Sequence, residues 1–333
     1  MLGSWPALSG NSGRIARVGS DSFVHNGLFH MTVIEKGISM RLHPVLIAAL
    51  ATATWVTGVH AQTLEKVKSS GTIALAYRES SIPFSYLGGD GQPVGFGWEI
   101  CNKIVDQVKK ATGRNDLKIA TQAVTSQNRI PLLSNGTIDI ECGSTTNNSE
   151  RAKQVAFATN YFYTGTRLLV KSGSPVKAVA DLKGKKVVST TGTTNFQILR
   201  KLNADQNLNF ELIGAKDHAE SALLVQQGRA DAFGMDDILL YGIRASAPNP
   251  AELAVVGESI QVEPYAIMLR KDDPGFKKLV DDTLASLIKS GEFEALYKKW
   301  FQSPIPPKGI NLNAPMSKEL QDNLKALSDK PAT

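Results

Sequence analysis

Thr72-Ile73-Ala74-Leu75-Ala76-Tyr77 is a short apolar run that closes on Arg78. Its length and composition predict a buried strand. Downstream, Trp98–Lys110 places Ile100, Ile104, Val105 and Val108 at helical spacing, and Leu117–Ala123 returns to a strand. A short helix over Gln127–Ser134 is stopped by Asn135-Gly136, and Thr137–Glu141 is the next strand. Strand, helix, strand, repeated in this way, predicts parallel sheets with helices on both faces.

The alternation continues in a second block that begins near Thr166. Its strands are Arg167–Val170, Lys186–Ser189, Glu211–Ile213 and Ala232–Met235. Its helices are a short one ending at Asp181-Leu182-Lys183-Gly184, one from about Asn195, and Ser221–Gln227. Near Ala254 the chain turns back to strand, with Tyr265–Leu269 a core strand. Phe276–Ile288 and Phe293–Phe301 are amphipathic helices, and Pro304–Pro307 marks a terminus or a wrap-around segment.

The chain has 333 residues, 42% hydrophobic and 20% charged, enough for two packed domains. The net charge of +6 is scattered, with no basic stripe interleaved with aromatics, so nucleic acid is not an expected partner. Part of that charge lies in a leader. After Met40, Arg41 and His43 form a short positive region, Val45–Val56 is apolar and uncharged, and Thr57–Ala61 ends in small residues. This layout predicts a signal peptide over 40–61, cleaved after Ala61. Residues 1–39 are read as a start-site artefact or a disordered extension. Two cysteines, Cys101 and Cys142, would then meet an oxidising compartment, as one disulfide or as two separate buried thiols.

Several chemistries are excluded. Gly95-Phe96-Gly97 opens a helix, but Ile100 stands where a dinucleotide fingerprint needs its third glycine, so no cofactor is expected. Downstream of the leader His218 is the single histidine, which leaves no metal spacing and no serine–histidine elbow. What remains is a set of polar strand ends. Arg78 follows the first strand, Thr125-Ser126-Gln127-Asn128-Arg129 the second, and Cys142-Gly143-Ser144-Thr145-Thr146 the third. In the second block Thr190-Thr191-Gly192-Thr193-Thr194, Lys216-Asp217-His218 and Asp236 take the same places. Ligands of doubly wound sheets bind beyond the carboxyl ends of strands. Arginines and helix N-termini there suit an anion, and a carboxylate suits an ammonium. Any one of these residues taken alone is as readily a cap or a solvated charge.

At these residues the sequence resembles the periplasmic amino-acid-binding proteins of ABC importers, most of all their glutamate/aspartate-binding members. The resemblance spans the chain beyond the leader. It is carried by Arg78-Glu79-Ser80-Ser81-Ile82-Pro83-Phe84-Ser85-Tyr86, Thr125–Leu133, Glu141–Asn148, Asp181–Lys185, Ala215–His218, Met235–Asp237 and Met268–Pro274. It implies a two-lobed α/β fold, each lobe a doubly wound, mostly parallel sheet, joined by a two-strand hinge that closes on the ligand. Lobe 1 would be discontinuous, residues 62–165 plus 258–333, with 166–257 as lobe 2.

The resemblance also implies roles. Arg151, Thr146 and Thr194 would hold the ligand α-carboxylate, and Ser144 and Asp236 the α-ammonium. Arg78, Ser126, Arg129 and His218 would surround a side-chain carboxylate. Ser81 and Ser126 stand where relatives often carry aromatic rings. The implied function is periplasmic capture of L-glutamate or L-aspartate by a monomer that delivers it to an inner-membrane ABC permease. A dehydratase-like enzyme on the same fold would need an acid or base against a mostly apolar substrate, and a pocket crowded with cations is poorly suited to that. A ligand-sensing module for a receptor is the other alternative.

Overall fold

The computed structural model describes residues 63–332. The leader lies outside them. In chain order the strands are β1 Thr72–Tyr77, β2 Ser80–Ser81, β3 Ser85–Leu87, β4 Pro93–Val94, β5 Lys118–Ala123, β6 Ile140–Glu141, β7 Val155–Phe157, β8 Phe162–Lys171, β9 Lys186–Thr190, β10 Glu211–Ala215, β11 Ala232–Asp236, β12 Leu253–Val256, β13 Val262–Tyr265 and β14 Met268–Arg270. The helices are α1 Thr63–Ser70, α2 Phe96–Thr112, α3 Arg129–Ser134, α4 Thr194–Asp205, α5 His218–Gln226, α6 Asp237–Ser246, α7 Pro274–Lys289, α8 Glu292–Phe301 and α9 Lys318–Ala326.

Two sheets build two lobes. The first has the order β5-β1-β6-β14-β7, with β5, β1 and β6 parallel and β14 antiparallel to both its neighbours. The register pairs Thr72 with Lys118 and Tyr77 with Ala123, so Arg78 and Val124 leave the sheet at the same edge. The second has the order β10-β9-β11-β8-β12, with β10, β9 and β11 parallel. A small antiparallel sheet, β2-β3-β4, packs beside the first lobe.

The chain passes between the lobes twice. The first half of β8, Phe162–Gly165, pairs antiparallel with β13, and the second half pairs with β11 and β12. Thus β8 leads into the second sheet and β13 leads out of it. The strand expected over Tyr265–Leu269 is two strands. Between them Ala266 N donates to Thr145 O and Ile267 O accepts from Ala158 N, because the chain changes sheets there. The strand expected from Arg167 begins at Phe162 for the same reason. The helix expected from Gln127 begins at Arg129, since Thr125 and Asn128 bond each other in a turn. The strand expected over Thr137–Glu141 shortens to Ile140–Glu141; Asp139 instead turns its carboxylate to Ala74 N, Lys66 and Arg270.

Packing fixes the crossing strands. Phe84 meets Phe162 and Tyr265 edge-on, with ring centroids 4.8 and 5.1 Å apart, and Phe162 stacks on Phe301 at 5.0 Å. All four rings are buried. Edge-to-face pairs of this kind add about 0.5–1.5 kcal/mol each beyond their buried area. The approach of Phe84 to α2 requires Gly95, whose φ of +132° and contact with the Phe84 carbonyl leave no room for a side chain. Helix α2 buries Ile100, Cys101, Ile104, Val105 and Val108 on one face, and Cys101 is joined to Cys142 by a disulfide. Beyond Pro304–Pro307 the chain wraps back through α9, and Ala332 pairs with Asn148.

Candidate functional site

The carboxyl ends of the parallel strands in both sheets face one narrow cavity whose lining side chains close on one another. Ser126, Arg129, Ser144, Thr146 and Arg151 line it from the first lobe. Thr193, Thr194, Asn195, His218, Met235, Asp236 and Leu239 line it from the second. Apart from Met235 and Asp236, which end β11, each lining residue sits past a strand or at the first turn of a helix, where side chains and free N–H groups project beyond the sheet. Helix α4 begins at Thr194; Thr193 caps it by accepting from Phe196 N, which leaves the positive helix end beside the cavity.

Three buried arginines dominate the electrostatics. Arg129 Nη1 donates to Thr145 Oγ1 at 2.5 Å and to Ser144 O at 3.4 Å. Thr145 Oγ1 in turn donates to Glu141 Oε2 at 2.5 Å. Arg151 donates to Thr146 O at 2.9 Å and across the cleft to Gly192 O at 3.1 Å. Arg78 lies behind the cavity wall rather than on it, with Nη2 3.3 Å from His218 Nε2. Among the described residues none of the three arginines forms an ion pair. Arg78 Nη1 and Arg129 Nε have no protein partner, and neither do the Ser126 and Ser144 hydroxyls. Burial first, and the Arg129 charge second, draw both Arg78 and Arg151 down to about 9, so both stay charged at neutral pH. Burial also lowers Arg129, against the opposing pull of Glu141.

His218 is neutral. Burial, then the Arg78 and Arg129 charges, hold it well below its ordinary value. Because arginine only donates, His218 Nε2 is the acceptor and Nδ1 carries the proton. That proton goes to Thr190 Oγ1 at 2.9 Å, which sits 2.9 Å from Ser221 Oγ. On the opposite side Asp236 accepts from Asn195 Nδ2 at 2.8 Å and from the Tyr265 hydroxyl. Burial, then the Glu263 charge, raise Asp236 above the usual carboxylate range.

Of the nine residues singled out for ligand contact, the structure therefore brings eight to the cavity wall and sets Arg78 one layer back. Sequence reasoning missed four that shape the site. Glu263 on β13 accepts from Thr146 Oγ1 at 3.1 Å and Thr194 Oγ1 at 2.6 Å. Tyr265 and Asn195 hold Asp236, and Glu141 supports Arg129 through Thr145. An acid among apolar neighbours in a strand, as in Val262-Glu263-Pro264-Tyr265, was the one available signal.

A family model described as bacterial extracellular solute-binding proteins, family 3, matches residues 73–303. An L-glutamate/L-aspartate-binding protein of Pseudomonas aeruginosa is 49% identical over 292 residues, covering 87% of this chain and 97% of the relative. A glutamate/aspartate import solute-binding protein of Escherichia coli K12 is 49% identical over 298 residues, covering 90% and 97%. Among solved structures, an ancestral arginine-binding protein bound to arginine superposes with a TM-score of 0.63 at 29% identity, covering 69% of this chain and 98% of that one.

Proposed function

The chain belongs to the bacterial extracellular solute-binding proteins, family 3, and we propose that within it this protein captures L-glutamate or L-aspartate and delivers it to the permease of an ABC importer. The observation that carries the reading is the pair of buried guanidinium donors, Arg78 Nη1 and Arg129 Nε, that no acceptor meets among the described residues, with Glu141 near both arginines but ion-paired to neither. A buried charge without a hydrogen-bond partner is costly, and a ligand carboxylate beside Arg129, with Arg78 one layer behind, is the anion that would offset it.

In this reading the side-chain carboxylate lies among Arg78, Ser126, Arg129 and His218. Arg151, with Thr146 and Thr194, takes the α-carboxylate, and Asp236 and Ser144 take the ammonium. These last five contacts suit any α-amino acid, so acidic selectivity rests on the first four. One methylene discriminates by only about 1–3 kcal/mol, so both acidic amino acids are expected ligands. The work is binding, with the relatives named as binding proteins.

Lobe limits of 62–165 plus 258–333, and 166–257, are supported by the change of strand partner between Gly165 and Thr166. Capture by a monomer after export and cleavage behind Ala61, into the periplasm, completes the proposal; its support is the leader layout and the extracellular description of the family.

Calorimetric titration with each common amino acid tests the reading. Glutamate or aspartate should bind with Kd below about 1 μM, with glutamine at least a hundredfold weaker. Tight binding of glutamine or arginine would overturn the pocket assignment.

A further inference from the structure

Glu263 is buried and sits on the outgoing crossing strand, opposite Thr164 of β8. Its carboxylate reaches both lobes, accepting at Oε2 from Thr146 of the first and Thr194 of the second. The two hydroxyl oxygens are 3.3 Å apart. A threonine hydroxyl carries a single proton. The same two hydroxyls are the donors assigned above to the ligand α-carboxylate. An ionised Glu263 and a ligand carboxylate therefore compete for one pair of protons. When the hydroxyls turn to the ligand, their lone pairs face the Glu263 carboxylate, acceptor against acceptor in a buried place. A proton on Glu263 removes the conflict, because the carboxyl then donates to a threonine oxygen.

Resting on the acidic-ligand reading, we propose that Glu263 is a further determinant of affinity, taking up a proton from solvent as the ligand α-carboxylate engages Thr146 and Thr194. The charges around it are set on several elements. Arg151, from the turn Arg151–Lys153, favours the ionised form, whereas Asp236 at the end of β11 is a like charge close enough to feel it. Tyr265, two residues along, donates to Asp236. Glu150 and Lys201 line the outer cleft that Glu263 shares with Arg151. Burial already raises Glu263 above the ordinary range, which brings its protonation closer to neutral pH. The ligand ammonium meanwhile favours ionised Asp236, whose charge in turn favours the protonated form of Glu263.

The test is the Kd for glutamate across about pH 5 to pH 8, for the wild type and for Glu263→Gln, whose amide has the shape of the protonated carboxyl. The two should converge at the acid end. With rising pH the wild type should weaken relative to Glu263→Gln, by up to about tenfold per pH unit. Parallel profiles, or a variant at least about tenfold weaker at every pH, would overturn the inference. Should Glu263→Gln fail to fold, Thr194→Val removes the shorter of the two donors and should give a shallower profile than the wild type; an equal slope again overturns it. If the wild type binds neither glutamate nor aspartate, the functional reading falls and this inference with it. If it binds them with parallel profiles, the inference alone falls.

Discussion

Replacing Arg129 by methionine removes one cation of the site and keeps most of its volume. Arg129 is 2% exposed, and its protein partners are the neutral Thr145 hydroxyl and Ser144 carbonyl. In the proposed reading a ligand carboxylate meets its charge, with Glu141 acting at one remove through Thr145. Truncating one partner of a buried charged pair costs about 2–5 kcal/mol. At 1.4 kcal/mol per decade, the Kd for glutamate should rise by roughly thirtyfold to several thousandfold. Glutamine offers that position a neutral amide, and a neutral hydrogen bond is worth only about 0.5–1.5 kcal/mol, so its affinity should fall by about tenfold at most. The expected signature is a collapse of the glutamate-to-glutamine ratio. Calorimetric titration of both ligands against both proteins measures it, with unfolding curves recorded without added ligand to show that the fold survives. Equal losses for glutamate and glutamine would refute the argument that Arg129 neutralises a side-chain carboxylate.

Three further outcomes are expected. Gly192 has φ +78°, and a Cβ there would lie 2.6 Å from Gln127 Cα in the opposite lobe, so Gly192→Ala should weaken glutamate and aspartate alike by at least about tenfold and enlarge the ligand-saturated particle in solution scattering; an unchanged Kd would argue against this contact limiting closure. The Cys101–Cys142 bridge closes a sequence separation of 41, for which chain entropy gives about 4 kcal/mol, so the double alanine variant should lose about 2–4 kcal/mol in urea unfolding, and a loss under about 1 kcal/mol would contradict it. His218 is held below its ordinary value, so the unfolded chain binds its proton first: the stability it contributes is full above about pH 6.5 and is lost as pH falls toward the folded value, at up to about 1.4 kcal/mol per pH unit. The raised Asp236 and Glu263 act in the opposite sense in both proteins. His218→Asn should therefore lose less stability than the wild type between neutral pH and about pH 5, and identical slopes would show that His218 is not buried neutral.

Much of this architecture is written in local patterns. The run from Thr72 to Tyr77, the helical spacing of Ile100, Ile104, Val105 and Val108, and the strand that follows specify a strand–helix–strand unit, because burial periodicity is set by neighbours along the chain. The polar residues at the strand ends were legible for the same reason: in a parallel sheet every carboxyl end meets the same edge, so Ser126, Ser144, Thr194, His218 and Asp236 converge without any knowledge of long-range contacts.

Pairings between distant segments were decided only by tertiary structure. Arg78 ends a strand like the others, yet its guanidinium is turned to His218, 140 residues away, and stands behind the wall. Glu263 has no local mark beyond its place in a buried strand, and its role arises because β13 crosses between lobes where Thr146 and Thr194 meet. Strand order, hydroxyl direction and the absence of an ion pair for Arg78, Arg129 and Arg151 among the described residues are properties of the assembled site. A sequence fixes what each residue can donate or accept, but the count of donors against acceptors closes only when all the neighbours are in place.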